Sequence, residues 1–150
     1  MPRSAVTVAK TPGRRRAGVA VFAAIIAFSA YAGAVGLVSG GLSLGELLTA
    51  RLPFASPMLG GIALALIVAA PSTWLAWLAW QGDARTDAVA LVVGVLIIGW
   101  IVVELAFIRE FSFFHPLYLV VGGTLVWIGR HGVADLRALP HHPAARPAGP

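Results

Sequence analysis

Three residues that could carry chemistry follow one another near the end of a long apolar run. Glu104 stands in the stretch IVVELAFI, and Arg109 and His115 come shortly after it. An acid in such a run is a candidate functional group, because an ionised carboxylate at the centre of a bilayer costs roughly 2.5–3.5 kcal/mol. An unperturbed histidine titrates at about pH 6.5, so His115 could form a pH-sensitive pair with Glu104. Glu104, Arg109 and His115 therefore form a candidate intramembrane polar site that could bind a proton or a cation.

A second interpretation places Glu104 at the membrane surface. It lies one turn before the predicted helix end at Ile108, or about 6 Å at 1.5 Å per residue. From there the side chain can reach the interface and pair with Arg109, Arg51 or His115, or stay protonated among apolar neighbours. We favour this interfacial position, because no second acid lies deep in any predicted span to extend a proton path. His115, beside a proline at a predicted helix start, is likewise more typical of an interfacial cap than of a ligand or base.

Other kinds of reaction site are not indicated. The chain has no cysteine, which excludes disulfides, thiolate nucleophiles and cysteine-ligated metals. No serine-hydrolase, zinc-protease or nucleotide-binding motif occurs, and His141 and His142 lie in a Pro-rich tail without the converging ligands of a metal site. We therefore expect no catalytic residue, no metal and no cofactor. We also expect no nucleic-acid partner, because the basic residues border apolar runs, where anionic lipid headgroups suit them.

Composition predicts a membrane protein. Of the 150 residues, 59% are hydrophobic and only 11% are charged, and the mean hydropathy is +0.87. Clusters of charge separate four long apolar runs, each near the ~20 residues that cross a bilayer. The expected fold is all-α, a four-transmembrane-helix bundle with spans at residues 17–39, 58–80, 87–108 and 113–129. The expected domains are a basic disordered tail at 1–16, the membrane domain at 17–129 and a Pro/Ala-rich disordered tail at 130–150.

The first span has an alternative interpretation as a cleaved signal peptide. Arg14, Arg15 and Arg16 precede the apolar run, and AGA at residues 32–34 fits a small-residue cleavage site. The run continues past that site to Val38, which is longer than the apolar region of a signal peptide. The sequence therefore favours a retained helix.

The segments between the spans carry their own signals. Ser43 and Glu46 form a capping box within residues 40–57, which predicts a short amphipathic helix lying at the interface. Pro71 predicts a kink in the second span, and the hydroxyls of Ser72 and Thr73 are expected to bond backbone carbonyls beside it. Three tryptophans crowd the end of that span and mark a membrane face: Trp74, Trp77 and Trp80.

Orientation follows from the distribution of Lys and Arg. With four spans, both termini and the 81–86 turn share one side, and that side holds nine of the eleven basic residues: Arg3, Lys10, Arg14, Arg15, Arg16, Arg85, Arg130, Arg137 and Arg146. Only Arg51 and Arg109 lie opposite. The excess of positive charge predicts that both termini face the cytoplasm.

Small residues indicate where helices pack. Gly36 and Gly40 form a small-xxx-small pair, extended backwards by Ala32, and Ala90 and Gly94 offer a similar strip on the third helix. Such strips serve either contacts within one chain or contacts between two copies. We favour packing within the chain, because such patterns are common in Ala- and Gly-rich sequences.

One stretch resembles a known group of proteins. GWIVVELAFIREFSFFHPLYLVVGG, residues 99–123, is similar to uncharacterised small four-helix membrane proteins of high-GC, actinobacterial-type bacteria. The matching residues are Trp100, Glu104, Pro116 and Gly122. The resemblance implies that the hairpin of the third and fourth helices is the characteristic part of the fold, and it implies no activity.

Three functions remain open from the sequence. The favoured one is a non-catalytic protein of the bacterial cell (inner) membrane, an accessory or scaffold subunit that contacts a membrane-protein partner or its own copies. The second is a small proton- or cation-linked transporter centred on Glu104. The third is a membrane enzyme with His115 and Glu104 as a general base pair, which is disfavoured because no nucleophile or metal set accompanies them.

Overall fold

The described residues form four long helices. The structure, a computed structural model, describes residues 13–41, 56–108 and 112–138. The helices are α1 (Arg14–Val38), α2 (Pro57–Gln81), α3 (Thr86–Ile108) and α4 (Phe114–Ala138). All four are long and apolar enough to cross a membrane, and no strand occurs in these ranges. The expected all-α class with four apolar helices is confirmed for this part of the chain.

Some predicted features lie outside the described residues, and two helices extend into the predicted tails. Helix α1 begins at Arg14, so the last three residues of the tail predicted at 1–16 are helical. The amphipathic segment with Ser43, Glu46 and Arg51 falls in 42–55, Arg109 falls in 109–111, and the outer parts of both tails also lie outside. Helix α4 continues past Gly129 to Ala138, so the first part of the predicted C-terminal tail is helical. Loss of hydropathy marks where a membrane span ends, whereas a helix continues until a breaker, and the next proline is Pro140.

Helix ends follow local chemistry. The Ser56 hydroxyl accepts the Leu59 N–H at 3.4 Å, with Pro57 at the first helical position of α2. Gly82 ends α2 in left-handed backbone with φ +68°. Gly40 also has positive φ, +72°, and no atom lies within 4 Å of a Cβ built on it. Gly40 is predicted to pack helices, but it lies two residues beyond the end of α1, in the turn that follows the helix.

A widened turn accommodates Pro71 in the middle of α2. Residues Ala65–Ala69 form a π-helical turn, and the Ala70 N–H bonds the carbonyl of Ala65, five residues back. A proline lacks an N–H and its ring clashes with the carbonyl four residues before it, and a π-turn removes that clash. Thr73 Oγ1 donates to the Ala69 carbonyl at 2.9 Å as expected. Ser72 does not follow the prediction: its buried Oγ has no hydrogen-bond partner among the described residues.

Helices α1 and α2 form a hairpin with an alanine-rich contact. The buried small residues of α1 recur at helical spacing and are Ala20, Ala23, Ala27, Ala30 and Ala34. On α2, a Cβ added to Gly61 would lie 2.8 Å from the Ala34 carbonyl oxygen. In the predicted strip Ala32 is exposed and Gly36 is partly buried, and the fully buried small residues of α1 are the alanines. Alanine is small enough for close packing, so the richer alanine strip determines the buried face.

Helices α3 and α4 form a second hairpin in which backbones nearly touch. A Cβ added to Gly94 would lie 2.7 Å from the Gly122 carbonyl oxygen, and one added to Gly129 would lie 2.6 Å from both Asp87 O and Leu91 N. Ala90 is fully buried beside this contact. Ala90 and Gly94 therefore lie on a packing face within the chain.

Larger side chains fill the space between the two hairpins. The shared core includes Phe22 and Ile26 from α1, Val93 and Ile97 from α3, and Leu125 from α4. The backbones of the two hairpins come near one another mainly between α2 and α3. Large apolar residues cover the outside, among them Ile25, Phe28, Leu66, Val92, Val102 and Val120. An apolar perimeter of this kind suits a lipid environment.

Candidate functional site

Glu104 and His115 lie on neighbouring helices at one end of the bundle. Glu104 is partly exposed near the end of α3, and His115 is 4% exposed in the first turn of α4. The two side chains are close enough to interact electrostatically. Two members of the predicted polar site are thus brought together, while Arg109 lies outside the described residues.

His115 is held by the backbone at the start of its own helix. The Ser112 N–H donates to His115 Nδ1 at 2.9 Å, and the His115 N–H donates to the Ser112 carbonyl at 3.0 Å. His115 Nδ1 also lies 3.2 Å from the Ser112 carbonyl oxygen. Both polar groups of the Ser112 backbone thus face the His115 ring, which acts as a helix-capping residue.

Glu104 lies near one edge of the apolar layer. It is 17 residues beyond Asp87 on the same helix, which corresponds to about 26 Å along the axis, compared with a hydrocarbon thickness of ~30 Å. Among the described residues Glu104 has no ion pair within 4.0 Å. The acid is therefore in the last turns of its span rather than at its centre.

One hydroxyl pair links the two hairpins in the same half of the bundle. Ser29 Oγ on α1 lies 3.0 Å from the Tyr118 hydroxyl oxygen on α4. Ser29 Oγ also lies 2.9 Å from the Ile26 carbonyl and donates its single proton there. Tyr118 is therefore the donor in the Ser29–Tyr118 bond.

At the opposite end, Arg15 of α1 joins the second hairpin. Arg15 Nη2 lies 3.4 Å from Asp87 Oδ1 of α3 and donates to the Ile128 carbonyl of α4 at 3.1 Å. The Asp87 side chain is only 13% exposed. It lies in a notch over Gly132, where an added Cβ would be 2.1 Å from the Asp87 Cγ. We call Arg15, Asp87 and Gly132 the arginine clamp.

The turn between α2 and α3 lies at this same end. Arg16 donates to the Gly82 carbonyl, and Asp83 Oδ1 accepts the Arg85 N–H at 2.7 Å. That amide bond, helped by the hydrogen-bonded Arg85 guanidinium, lowers the pKa of the Asp83 carboxyl below its ordinary value. The buried Thr86 hydroxyl donates to the Asp83 carbonyl at 2.7 Å. The start of α1, this turn and the C-terminal part of α4 therefore meet at one end, which we call the basic end.

Tryptophans surround the bundle near the basic end. Trp74, Trp77 and Trp80 of α2 are exposed, and so is Trp127 of α4. The rings of Trp127 and His131 are in tilted contact, with centroids 4.7 Å apart and an angle of 47° between their planes. Exposed indoles beside arginines are typical of the headgroup level of a membrane.

The two polar ends are separated by an apolar interior. Ser29 is 14 residues along α1 from Arg15, or about 21 Å. The core side chains between these levels include Ala23, Ile26, Val93, Ile97 and Leu125. The structure thus provides two separate polar clusters rather than one continuous polar path.

The sequence does not predict the arginine clamp. It predicts Arg15 as part of the basic flank, Asp87 as a helix start and Gly132 as part of a tail. The one available signal is that Asp87 begins the third predicted span on the same membrane side where Arg14, Arg15 and Arg16 precede the first.

The described residues offer no metal site, and three comparisons with known proteins found no match. No group of three or more His, Cys, Asp or Glu side chains converges within residues 13–41, 56–108 and 112–138. No protein-family model matches the chain, and no curated protein or solved structure is detectably similar to it.

Proposed function

We propose that the chain is a non-catalytic, multi-pass protein of the bacterial cell membrane that acts as an accessory or scaffold subunit of a larger membrane complex. The observation that carries this proposal is how the polar side chains of the spans are used. The hydroxyls of Thr73 and Thr124 bond carbonyls of their own helices, and Tyr118 bonds Ser29. A reaction site needs several polar groups that converge on an open space, and these groups instead hold the fold together.

The membrane orientation is part of the same proposal. With its arginines and exposed tryptophans, the basic end suits the cytoplasmic leaflet and its anionic headgroups. Both termini would then be cytoplasmic, and Glu104 would lie near the outer leaflet. The resemblance of residues 99–123 to small four-helix proteins of high-GC bacteria supports a bacterial cell membrane and stays a prediction.

Recovery of the intact complex tests the accessory role. The full chain, with an affinity tag at its C-terminus, is extracted from its native membranes into polymer-bounded lipid discs. The mass of the purified complex is then measured by native mass spectrometry. We expect a stoichiometric membrane-protein partner beside the chain. A four-span membrane protein of unrelated sequence, tagged and expressed at the same level, controls for chance co-extraction. Recovery of the chain solely as a monomer would overturn the proposal.

The Glu104–His115 pair favours a second candidate, a small proton-linked transporter. Its two titratable groups lie on adjacent helices near one membrane edge, and an intramembrane acid paired with a histidine is a common proton-binding arrangement. The closed apolar interior below the pair would have to open for transport to occur.

Flux across liposomes tests this candidate. Purified protein is reconstituted in liposomes holding a pH-sensitive dye, and a pH step is applied. If the pair carries protons, Glu104→Gln abolishes a flux that the parent shows. Asp83→Asn is the matched control, since it removes one acid from a turn outside the spans. Absence of flux in the parent protein would remove this candidate.

A further inference from the structure

The helices of the bundle approach more closely within each hairpin than between the two hairpins. Within each hairpin the helices approach closely, through alanines and Gly61 in α1–α2 and through glycines in α3–α4. Across the hairpins the backbone of α1 stays apart from α3 and α4, and longer side chains fill the gap. Small residues let helix backbones approach closely. The interface between α1 and the second hairpin is thus the one where side chains rather than backbones meet.

Two side-chain links join α1 to the second hairpin among the described residues. One is the Ser29–Tyr118 bond in the half away from the basic end. The other is Arg15, which contacts Asp87 and the Ile128 carbonyl at the basic end. At the basic end α2 and α3 are joined by their turn and pack together, so Arg15 is the side-chain link that ties α1 to α3 and α4 there.

The two partners in this contact differ in mobility. Asp87 is 13% exposed and fixed in the notch over Gly132, whereas the Arg15 side chain is 55% exposed. Exposed ion pairs are weak and are screened by salt. Arg15 can thus leave while Asp87 stays, and water can then reach both.

We propose that Arg15 is a releasable clamp between the hairpins, and that the basic end opens when Arg15 leaves Asp87 and the Ile128 carbonyl. The Ser29–Tyr118 bond keeps the other half together, so the motion is a splaying at one end. The open state exposes the apolar surfaces around Val19 of α1 and Ala90 of α3, which are buried in the closed state. This inference does not depend on the proposed function.

Distances between spin labels test the proposal. The chain has no cysteine, so Gly18→Cys on α1 and Ala134→Cys on α4 give one labelled pair near the basic end, both at exposed positions. Val35→Cys on α1 and Phe114→Cys on α4 give a second exposed pair at the other end. Pulsed electron double resonance is recorded in lipid discs of phosphatidylethanolamine and phosphatidylglycerol.

Three variants are expected to open the clamp. Arg15→Gln removes the cation, Asp87→Asn removes the anion, and Gly132→Ala expels the carboxylate without changing any charge. Each should raise the ratio of long to short distances in the basic-end pair by up to roughly five-fold, as for loss of an exposed ion pair. The second pair should keep its distance. About 1 M salt, where the screening length falls to ~3 Å, should shift the parent protein in the same direction.

Two variants serve as matched controls. Arg16→Gln removes the same charge from the neighbouring position, which bonds Gly82 rather than the second hairpin. Gly123→Ala adds a methyl group to α4 where nothing lies within 4 Å. Both should keep the parent distances. If Arg15→Gln and Asp87→Asn also keep them, or if Arg16→Gln opens the end equally, the clamp is refuted.

Discussion

Helices α1 and α2 meet through alanine side chains, whereas α3 and α4 meet through glycine backbone. In the second hairpin Gly94, Gly122 and Gly129 bring carbonyl oxygens of one helix to the Cα atoms of the other. In the first hairpin Gly61 makes such an approach to Ala34, and the buried face of α1 is a strip of alanine methyl groups. A backbone contact fixes register and tolerates no added atom, while a methyl contact leaves some room.

The two hairpins also differ in helical regularity. Helix α2 contains the π-turn at Ala65–Ala69 ahead of Pro71, whereas α3 is one continuous α-helix. The extra residue of a π-turn rotates the side chains that follow it around the helix axis. A contact made by methyl groups adapts to such a rotation more easily than a contact between two backbones. The alanine contact is therefore found where the helix is irregular.

The largest expected effect on stability is in the α3–α4 hairpin, where the helices meet through glycines. Gly129→Ala places a methyl group 2.6 Å from two backbone atoms of α3, so the helices must separate, and we expect a loss of about 3 kcal/mol in unfolding free energy. Unfolding in mixed detergent–SDS micelles, followed by circular dichroism, measures it. Gly123→Ala is the control and should be neutral or stabilise by up to ~1 kcal/mol. Equal stabilities for these two variants would show that the backbones are not in contact.

A smaller effect on stability is expected in the α1–α2 hairpin, where the helices meet through alanines. Gly61→Ala meets the Ala34 carbonyl oxygen at 2.8 Å and a Val38 methyl at 2.9 Å, and the Val38 side chain can rotate away. We expect a loss of about 1–2 kcal/mol in the same assay. Combined with Gly129→Ala, the two losses should add to within ~0.5 kcal/mol, because the sites lie in separate hairpins. Strong non-additivity would mean that the hairpins do not pack independently.

The bond between the hairpins should contribute less still. Tyr118→Phe removes the hydroxyl that donates to Ser29 and leaves the ring in place. Hydrogen bonds between transmembrane helices average about 0.6 kcal/mol, and we expect a loss of that size. Ser29→Ala should cost a similar amount, and the double variant should cost no more than either single one. Additive losses would show that the two hydroxyls do not bond each other.

The smallest effect is the pH dependence of the turn that joins the hairpins. Hydrogen bonds from Arg85 lower the pKa of Asp83, so its contribution is present above the unfolded-state pKa of about 3.9 and is lost as pH falls through the lower folded-state pKa. Asp83→Asn should therefore flatten the acid limb of the stability curve between about pH 5 and pH 2. If the stability curve is unchanged by this substitution, the ionised Asp83 side chain contributes nothing to folding stability.

The sequence predicted the four helices because hydropathy and span length are properties of a segment by itself. It also located the disturbance at Pro71, since a missing N–H affects its own helix. It did not predict that the disturbance takes the form of a π-turn, which depends on the neighbouring helices as well.

Contacts between helices were harder to predict. Gly94 lies on a buried face as expected, but Gly40 lies past its helix, and Gly129 and Gly132 were assigned to the end of a span and to a tail. A small residue shows that close approach is possible without showing which helix approaches, and α1 had more than one face with small residues. The arginine clamp was missed for the same reason, since its members come from three helices.

The placement of the indole rings makes the molecule an optical reporter of one leaflet. Four of its five tryptophans are exposed within about two turns of the basic end, while Trp100 is half-buried further along α3. Emission excited at the red edge will thus come mainly from one half of the bundle, over about 9 Å of depth between Trp74 and Trp80. Bromine atoms placed high on a lipid chain should quench more of it than bromine atoms at mid-bilayer. The untagged, unlabelled chain can in this way report its own insertion depth.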